Sequence, residues 1–85
     1  MSNFKIKNGV LIKYDGVARN VVIPNGVTAI GEDAFQDNSW IKSVTIPYGV
    51  TIIDDGAFEN CTSLEDVIIP DSVEEIGMGA FSGCE

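Results

Sequence analysis

Cys61 and Cys84 stand 23 positions apart, and Asn38 stands 23 positions before Cys61. Two thiols at a fixed spacing can be a metal site, a disulfide or a structural pair. Zinc takes four ligands, so two cysteines alone make a poor site. Histidine, the commonest metal ligand and general base, is absent from the chain. If the spacing puts the two cysteines on neighbouring rungs about 4.8 Å apart, a disulfide is geometrically conceivable, because bridged Cα atoms lie about 4.4–6.8 Å apart. The plainer reading is a ladder of buried, reduced thiols.

The carboxylates also fall into columns. Glu32 aligns with Asp55 and Asp37 with Asn60, while Glu65 neighbours Asp66 and Glu74 neighbours Glu75. Stacked carboxylates can hold Ca²⁺ weakly, and a suitably placed pair could serve glycoside hydrolysis. The plainer reading is a solvated convex face that keeps the protein soluble. Hydroxyls such as Ser43, Thr45 and Thr51 have no base at hand to activate them. "GEDAF", "DDGAF" and "GMGAF" are one repeating column rather than a phosphate cradle. No catalytic residue, metal or cofactor is expected.

What positions these residues is the spacing itself. Pro24, Pro47 and Pro70 recur every 23 residues, as do Phe35, Phe58 and Phe81. The columns Ile23/Ile46/Ile69, Val27/Val50/Val73, Ile30/Ile53/Ile76 and Ala34/Ala57/Ala80 keep the same step. A fixed period in this range means a solenoid, and 23 residues are too few for the two helices of ankyrin-type or tetratricopeptide units. Within the second unit Val44 and Ile46 alternate with Ser43 and Thr45, which is strand periodicity. The reading is a strand over 43–46, a turn at Pro47-Tyr48-Gly49, a second extended piece over 50–53, and a short helical turn around 57–60. Pro47 closes the first strand, where a missing N–H would otherwise break a ladder. Each unit has one apolar side that only a stacked neighbour can bury.

The pattern "VxIPxxVxxIGxxAFxxC" over residues 21–85 resembles the BspA-like bacterial leucine-rich repeat. The second unit departs from it once, with Asp54 where the others have Gly31 and Gly77. The resemblance implies a right-handed parallel solenoid. It also implies a non-catalytic role, with cell-surface adhesion or host-protein binding in several long members. The expected organisation is three 23-residue repeats, 21–43, 44–66 and an incomplete 67–85, mainly short β-strands with short helical turns.

Residues 1–20 do not repeat. Asn8-Gly9 between two apolar-rich runs signals a hairpin that pairs Lys7 with Val10 and Ile6 with Leu11. This hairpin is expected to cap the first coil. Nothing comparable follows the third phenylalanine, so the strand near 66–69 is expected to keep an unpaired edge. Further repeats, or self-association of the chain, would satisfy it.

Charge is divided along the chain. Lys5, Lys7, Lys13 and Arg19 against Asp15 give 4 − 1 = +3 over residues 1–20, and Lys42 against 12 acids gives 1 − 12 = −11 over the rest, totalling −8. The uneven charge reads first as surface colouring, and could orient assembly. No basic patch suits nucleic acid. No apolar run approaches a membrane helix, and the first residues lack the apolar core of a signal peptide. The chain is therefore expected to be cytoplasmic as written, or a piece of a longer exported protein.

Outward strand positions line up as Asn20/Ser43/Asp66 and Val22/Thr45/Ile68. By the resemblance, this strand face is where partners are met. Trp40 aligns with Ser63, Tyr48 with Asn25 and Asp71, and Ile52 with Ala29 and Glu75, so the middle unit gains apolar bulk at three outward places. Exposed aromatics supply binding hot spots. Alternatively Trp40 folds over a loop and covers the core. The expected contact residues are Trp40, Tyr48, Ile52, Ser43, Thr45, Asp66 and Ile68. Three rungs span only about 15 Å, so the face offers a few hundred Å² against about 800 Å² per partner in a standard interface. The sequence thus reads as a protein-interaction module of adhesin-like type, with a small self-associating structural solenoid as the alternative.

Overall fold

The computed structural model describes residues 3–84, which form eight short strands joined by tight turns. They are β1 (Phe4–Lys7), β2 (Val10–Tyr14), β3 (Asn20–Val22), β4 (Ala29–Ile30), β5 (Ser43–Thr45), β6 (Ile52–Ile53), β7 (Asp66–Ile68) and β8 (Glu75–Ile76). Strands β3, β5 and β7 make a three-stranded sheet in that order. The others make a five-stranded sheet in the order β1-β2-β4-β6-β8. All pairs are parallel except β1 with β2. Each coil of the solenoid thus gives one strand to each sheet.

The 23-residue step is the register. Ser43 pairs with Asp66 and Ile30 with Ile53, so identical columns stack on one another. The hairpin has the expected pairing of Lys7 with Val10 and Ile6 with Leu11. Asn8 and Gly9 both take positive φ, 52° and 80°, as a two-residue primed turn requires. β2 then continues the first coil, with Val10 beside Ala29 and Leu11 beside Ile30. Tyr14 donates its backbone N–H to the Ala34 carbonyl and stacks on Phe35. The hairpin therefore supplies a side chain to the ring column and another to the isoleucine column.

The core is a set of vertical stacks. Val21, Ile23, Val44 and Ile46 point inward from the three-stranded sheet, and Leu11, Ile30 and Ile53 from the five-stranded one. Val27, Val50, Ala34, Ala57, Ile41 and Leu64 fill the space between. The rings run Phe4, Tyr14, Phe35, Phe58, Phe81, with successive centroids 5.0, 5.2, 4.8 and 5.1 Å apart. Burying each such aliphatic side chain contributes about 1.5–3 kcal/mol. No unit could do this alone, because most contacts are with the coil above and below.

The third side of each coil differs from expectation. Residues 57–60 form no helical turn; the segment is a series of tight turns. Ala57, Glu59 and Cys61 donate N–H bonds back three residues, to Asp54, Gly56 and Phe58. The alternate donors Gly56, Phe58 and Asn60 reach the next coil instead, to Met78, Ala80 and Ser82, at 3.2, 2.7 and 2.7 Å. The preceding coil repeats the scheme, with Asp33, Phe35 and Asp37 bonding to Asp55, Ala57 and Glu59. A right-handed helical turn is interrupted because two positions per coil are left-handed: Asp33/Gly56/Gly79 and Asp37/Asn60/Gly83. That geometry turns a local bend into a third intercoil ladder.

Candidate functional site

Among the chemistry-bearing residues, the cysteines face inward. Both are free thiols. The Cys61 thiol donates to the Phe35 carbonyl and the Cys84 thiol to the Phe58 carbonyl, each at 3.1 Å. They serve as rungs that satisfy the turn segment of the preceding coil, at the site Asn38 occupies one coil earlier. Burial pushes the Cys61 thiol up to about 12, reinforced by neighbouring Cys84 and opposed by a backbone hydrogen bond from Asn38. Burial raises Cys84 as well. Thiols held protonated are poor nucleophiles and poor metal ligands.

The carboxylates do not converge. No group of three or more His, Cys, Asp or Glu among the described residues could hold a metal ion. Several act instead as acceptors within the ladder. Asp37 accepts from the Asn60 amide at 3.0 Å, Glu59 from the Gln36 amide at 2.7 Å, and Asp55 from the Met78 N–H at 2.8 Å. No pocket opens in the described residues. Binding is therefore a matter of surfaces rather than cavities.

The expected contact face is the outer side of the three-stranded sheet. Ser43 and Thr45 on β5 pair with Asp66 and Ile68 on β7, and with Asn20 and Val22 on β3. Two straight rows result. One is polar, with the Ser43 hydroxyl donating to the Asn20 side-chain carbonyl at 2.8 Å. The other is Val22–Thr45–Ile68, in which Val22 is 69% and Ile68 61% exposed. Trp40, 39% exposed, lies in the turn before β5, and Tyr48, 82% exposed, in the turn after it. Tyr48 follows Pro47 in the tight bend that the sequence marks with Pro-Tyr-Gly. Four of the seven expected contact residues thus share one face, and Trp40 and Tyr48 bracket its central strand. Ile52 does not join them: it belongs to β6 of the five-stranded sheet, between Ala29 and Glu75.

A second exposed feature lies at the last coil. Ile69 and Ile76 are 41% and 52% exposed, while their counterparts Ile23, Ile46, Ile30 and Ile53 are buried. Phe81 and Val73 are likewise only partly covered. Sequence reading expects an open strand edge here; the exposure of the core column beside it follows from the same stacking but is not singled out. Sequence reading also misses Ser72. Its hydroxyl accepts the Gly49 N–H at 3.0 Å and donates to the Val50 carbonyl at 2.8 Å, tying two coils together. The one signal is that serine there replaces the glycine of the other two units.

Residues 5–85 match the family model described as BspA type leucine-rich repeat region (6 copies). The match includes the hairpin, consistent with its side chains extending the core columns. No curated protein matches the chain. Among solved structures, a leucine-rich repeat protein from Bacteroides ovatus is similar, with 28% identity and a TM-score of 0.71. The alignment covers 99% of this chain and 31% of that one, so this chain spans about a third of its length. Among the described residues no helix is long and apolar enough to cross a membrane.

Proposed function

This chain belongs to the BspA-type leucine-rich repeat family, and on that premise we propose that it is a non-catalytic protein-interaction module of an adhesin-like repeat protein, meeting its partner through the outer face of the three-stranded sheet. The observation that carries this reading is the row Val22–Thr45–Ile68. It sets two branched apolar side chains in solvent on either side of a threonine, in a rigid register fixed by backbone pairing. Side chains held on strands need little ordering on binding. Tyr48 and Trp40 at the ends of β5 supply the aromatic anchors that binding hot spots favour. Asp66, exposed on β7, adds an acidic contact at the rim. The face consists of three strands of three residues each, roughly 15 Å across and about 10 Å along the strands, so it falls short of the roughly 800 Å² per partner of a stable interface. Binding through it alone is weak, and strong adhesion requires many coils in series.

The test is solid-phase binding of the purified protein to a panel of host plasma and matrix proteins. Wild type is compared with V22E/I68E and with Tyr48→Ala. The expected result is a saturable signal on at least one protein, lost in V22E/I68E while the circular dichroism spectrum is unchanged. A signal that survives V22E/I68E moves the contact surface elsewhere, and no signal on any of the proteins removes the adhesin-like role.

A second reading is favoured by the exposed ends of the core columns. Ile69 and Ile76 sit in solvent at positions that are buried in the coils before them. A strand edge with apolar residues on its inner side invites pairing. In this reading the chain self-associates through the edge formed by β7 and β8.

A further inference from the structure

The five-stranded sheet begins and ends in complementary residues. Its outward row runs Lys7, Val10, Ala29, Ile52, Glu75, each the direct partner of the next. Its inward row runs Ile6, Leu11, Ile30, Ile53, Ile76. The three central members of the inward row are fully buried, whereas Ile6 and Ile76 at its two ends are substantially exposed. β1 and β8 are the edge strands. β1 runs antiparallel to β2, and β2, β4, β6 and β8 run parallel, so β1 runs opposite to β8. An antiparallel ladder between β8 of one copy and β1 of another therefore sets Ile76 beside Ile6 and Glu75 beside Lys7 in a single register. A slip of one residue would turn inward side chains outward. This register keeps both faces and places opposite charges together.

We propose that the chain associates head to tail, with the β8 edge of one copy receiving the β1 edge of the next. The proposal rests on the self-association reading above and names the partner surface. Charge selects this polarity. Residues 65–84 carry Glu65, Asp66, Asp71, Glu74 and Glu75 and no lysine or arginine, so a tail-to-tail joint opposes two acidic coils. The hairpin carries exposed Lys5 and Lys7 on β1 and Lys13 on β2. Edge lysines deter pairing with a like edge; here they deter β1 from meeting β1 while suiting an acidic strand. The three-stranded sheet ends at β3 on the hairpin side, two strands short of the five-stranded sheet. The joint accordingly runs through one sheet and is weak. A head-to-tail contact is heterologous and leaves one free edge at each end of a joined pair, so copies add one by one beyond a dimer.

The experiment is light scattering of the full chain over a concentration series, for wild type, Lys7→Glu, Glu75→Lys and the double variant, with circular dichroism to confirm folding. The expected result is a wild-type mass that climbs past the dimer with concentration. Each single reversal weakens association by about tenfold, because like charges replace opposite ones across the ladder. The double variant regains it. Wild type that stays monomeric throughout overturns self-association altogether, and this proposal with it. A dimer that does not grow and ignores Lys7→Glu keeps self-association but overturns the head-to-tail joint. A double variant no better than the singles overturns the pairing of Lys7 with Glu75.

Discussion

Phe35 and Phe58 stack with ring centroids 4.8 Å apart and planes 12° from parallel, one on each of two successive coils. Phe58 is in turn 5.1 Å from Phe81, whose plane differs by 3°. Phe58 is therefore covered on both faces, while Phe81 is only partly buried. Phe58→Ala is expected to cost about 3–5 kcal/mol, a large share of the 5–15 kcal/mol typical of a small domain. Phe81→Ala is expected to cost about half as much, since less area leaves water. Urea denaturation followed by circular dichroism measures both. Equal losses would show that the stack is no stronger at its centre than at its end.

Gly79 has a φ of 67°, like Asp33 at 58° and Gly56 at 64° in the same column. A Cβ there would meet nothing closer than the Ser82 Cβ at 3.8 Å, so space is not the constraint. The backbone conformation is. Aspartate and asparagine tolerate the left-handed region, whereas β-branched residues do not. Gly79→Asp, which copies the first unit, is expected to lie within about 1 kcal/mol of wild type. Gly79→Val is expected to cost roughly 1–2 kcal/mol more. Thermal melts of the two variants decide it; similar melting would mean that the segment relaxes out of its left-handed turn.

Ser72 joins two coils through one hydroxyl, accepting from Gly49 and donating to Val50. Ser72→Ala leaves a part-buried N–H and carbonyl without that partner, at an expected cost of about 1–3 kcal/mol. Ser82→Ala, at an exposed position of the following turn, is expected to stay within about 0.5 kcal/mol. The pair of variants should be compared by urea denaturation at one pH. A Ser72→Ala variant as stable as Ser82→Ala would mean that water replaces the hydroxyl without loss.

The strands and their register are legible because Val44 and Ile46 alternate with Ser43 and Thr45, and because one column stacks on itself every 23 residues. The hairpin is legible because only a few residue pairs, Asn8-Gly9 among them, suit its turn. The third side of the coil is less so. Ala57 and Phe58 both face inward, and two adjacent inward residues imitate a helical turn. The contrary signal lies in the column Asp33/Gly56/Gly79 and its companion Asp37/Asn60/Gly83, residue types that accept positive φ. Outward positions on the strands can be read from alternation alone, which is why Ser43, Thr45, Asp66 and Ile68 fall on one face. Placing Ile52 needs the path of the chain after Pro47, and that path carries it to the other sheet. The exposed inward ends, Ile6 and Ile76, carry no local mark, because their residue type is the same as in the buried middle of the column.

Cys61 supplies a prediction with a definite sign. Its thiol ionises near 9 in an unfolded chain and is pushed up to about 12 in the fold, chiefly by burial. Between those values the unfolded chain has released the proton and the native one has kept it. The native state then binds more protons, so stability falls as pH rises. The contribution is fully present below about 9 and is lost as pH climbs towards about 12. The informative quantity is the difference between wild type and Cys61→Ala, because it isolates the one thiol. Replacing the thiol removes packing and its hydrogen bond to Phe35, and wild type is expected to be the more stable at pH 7. That advantage should shrink by pH 10, because only wild type must hold a thiol protonated against the solvent. Urea midpoints of both proteins at pH 7 and pH 10 measure the change. A constant difference would mean that the Cys61 thiol ionises in the fold as readily as in water, and that it does not act as a protonated rung on the Phe35 carbonyl.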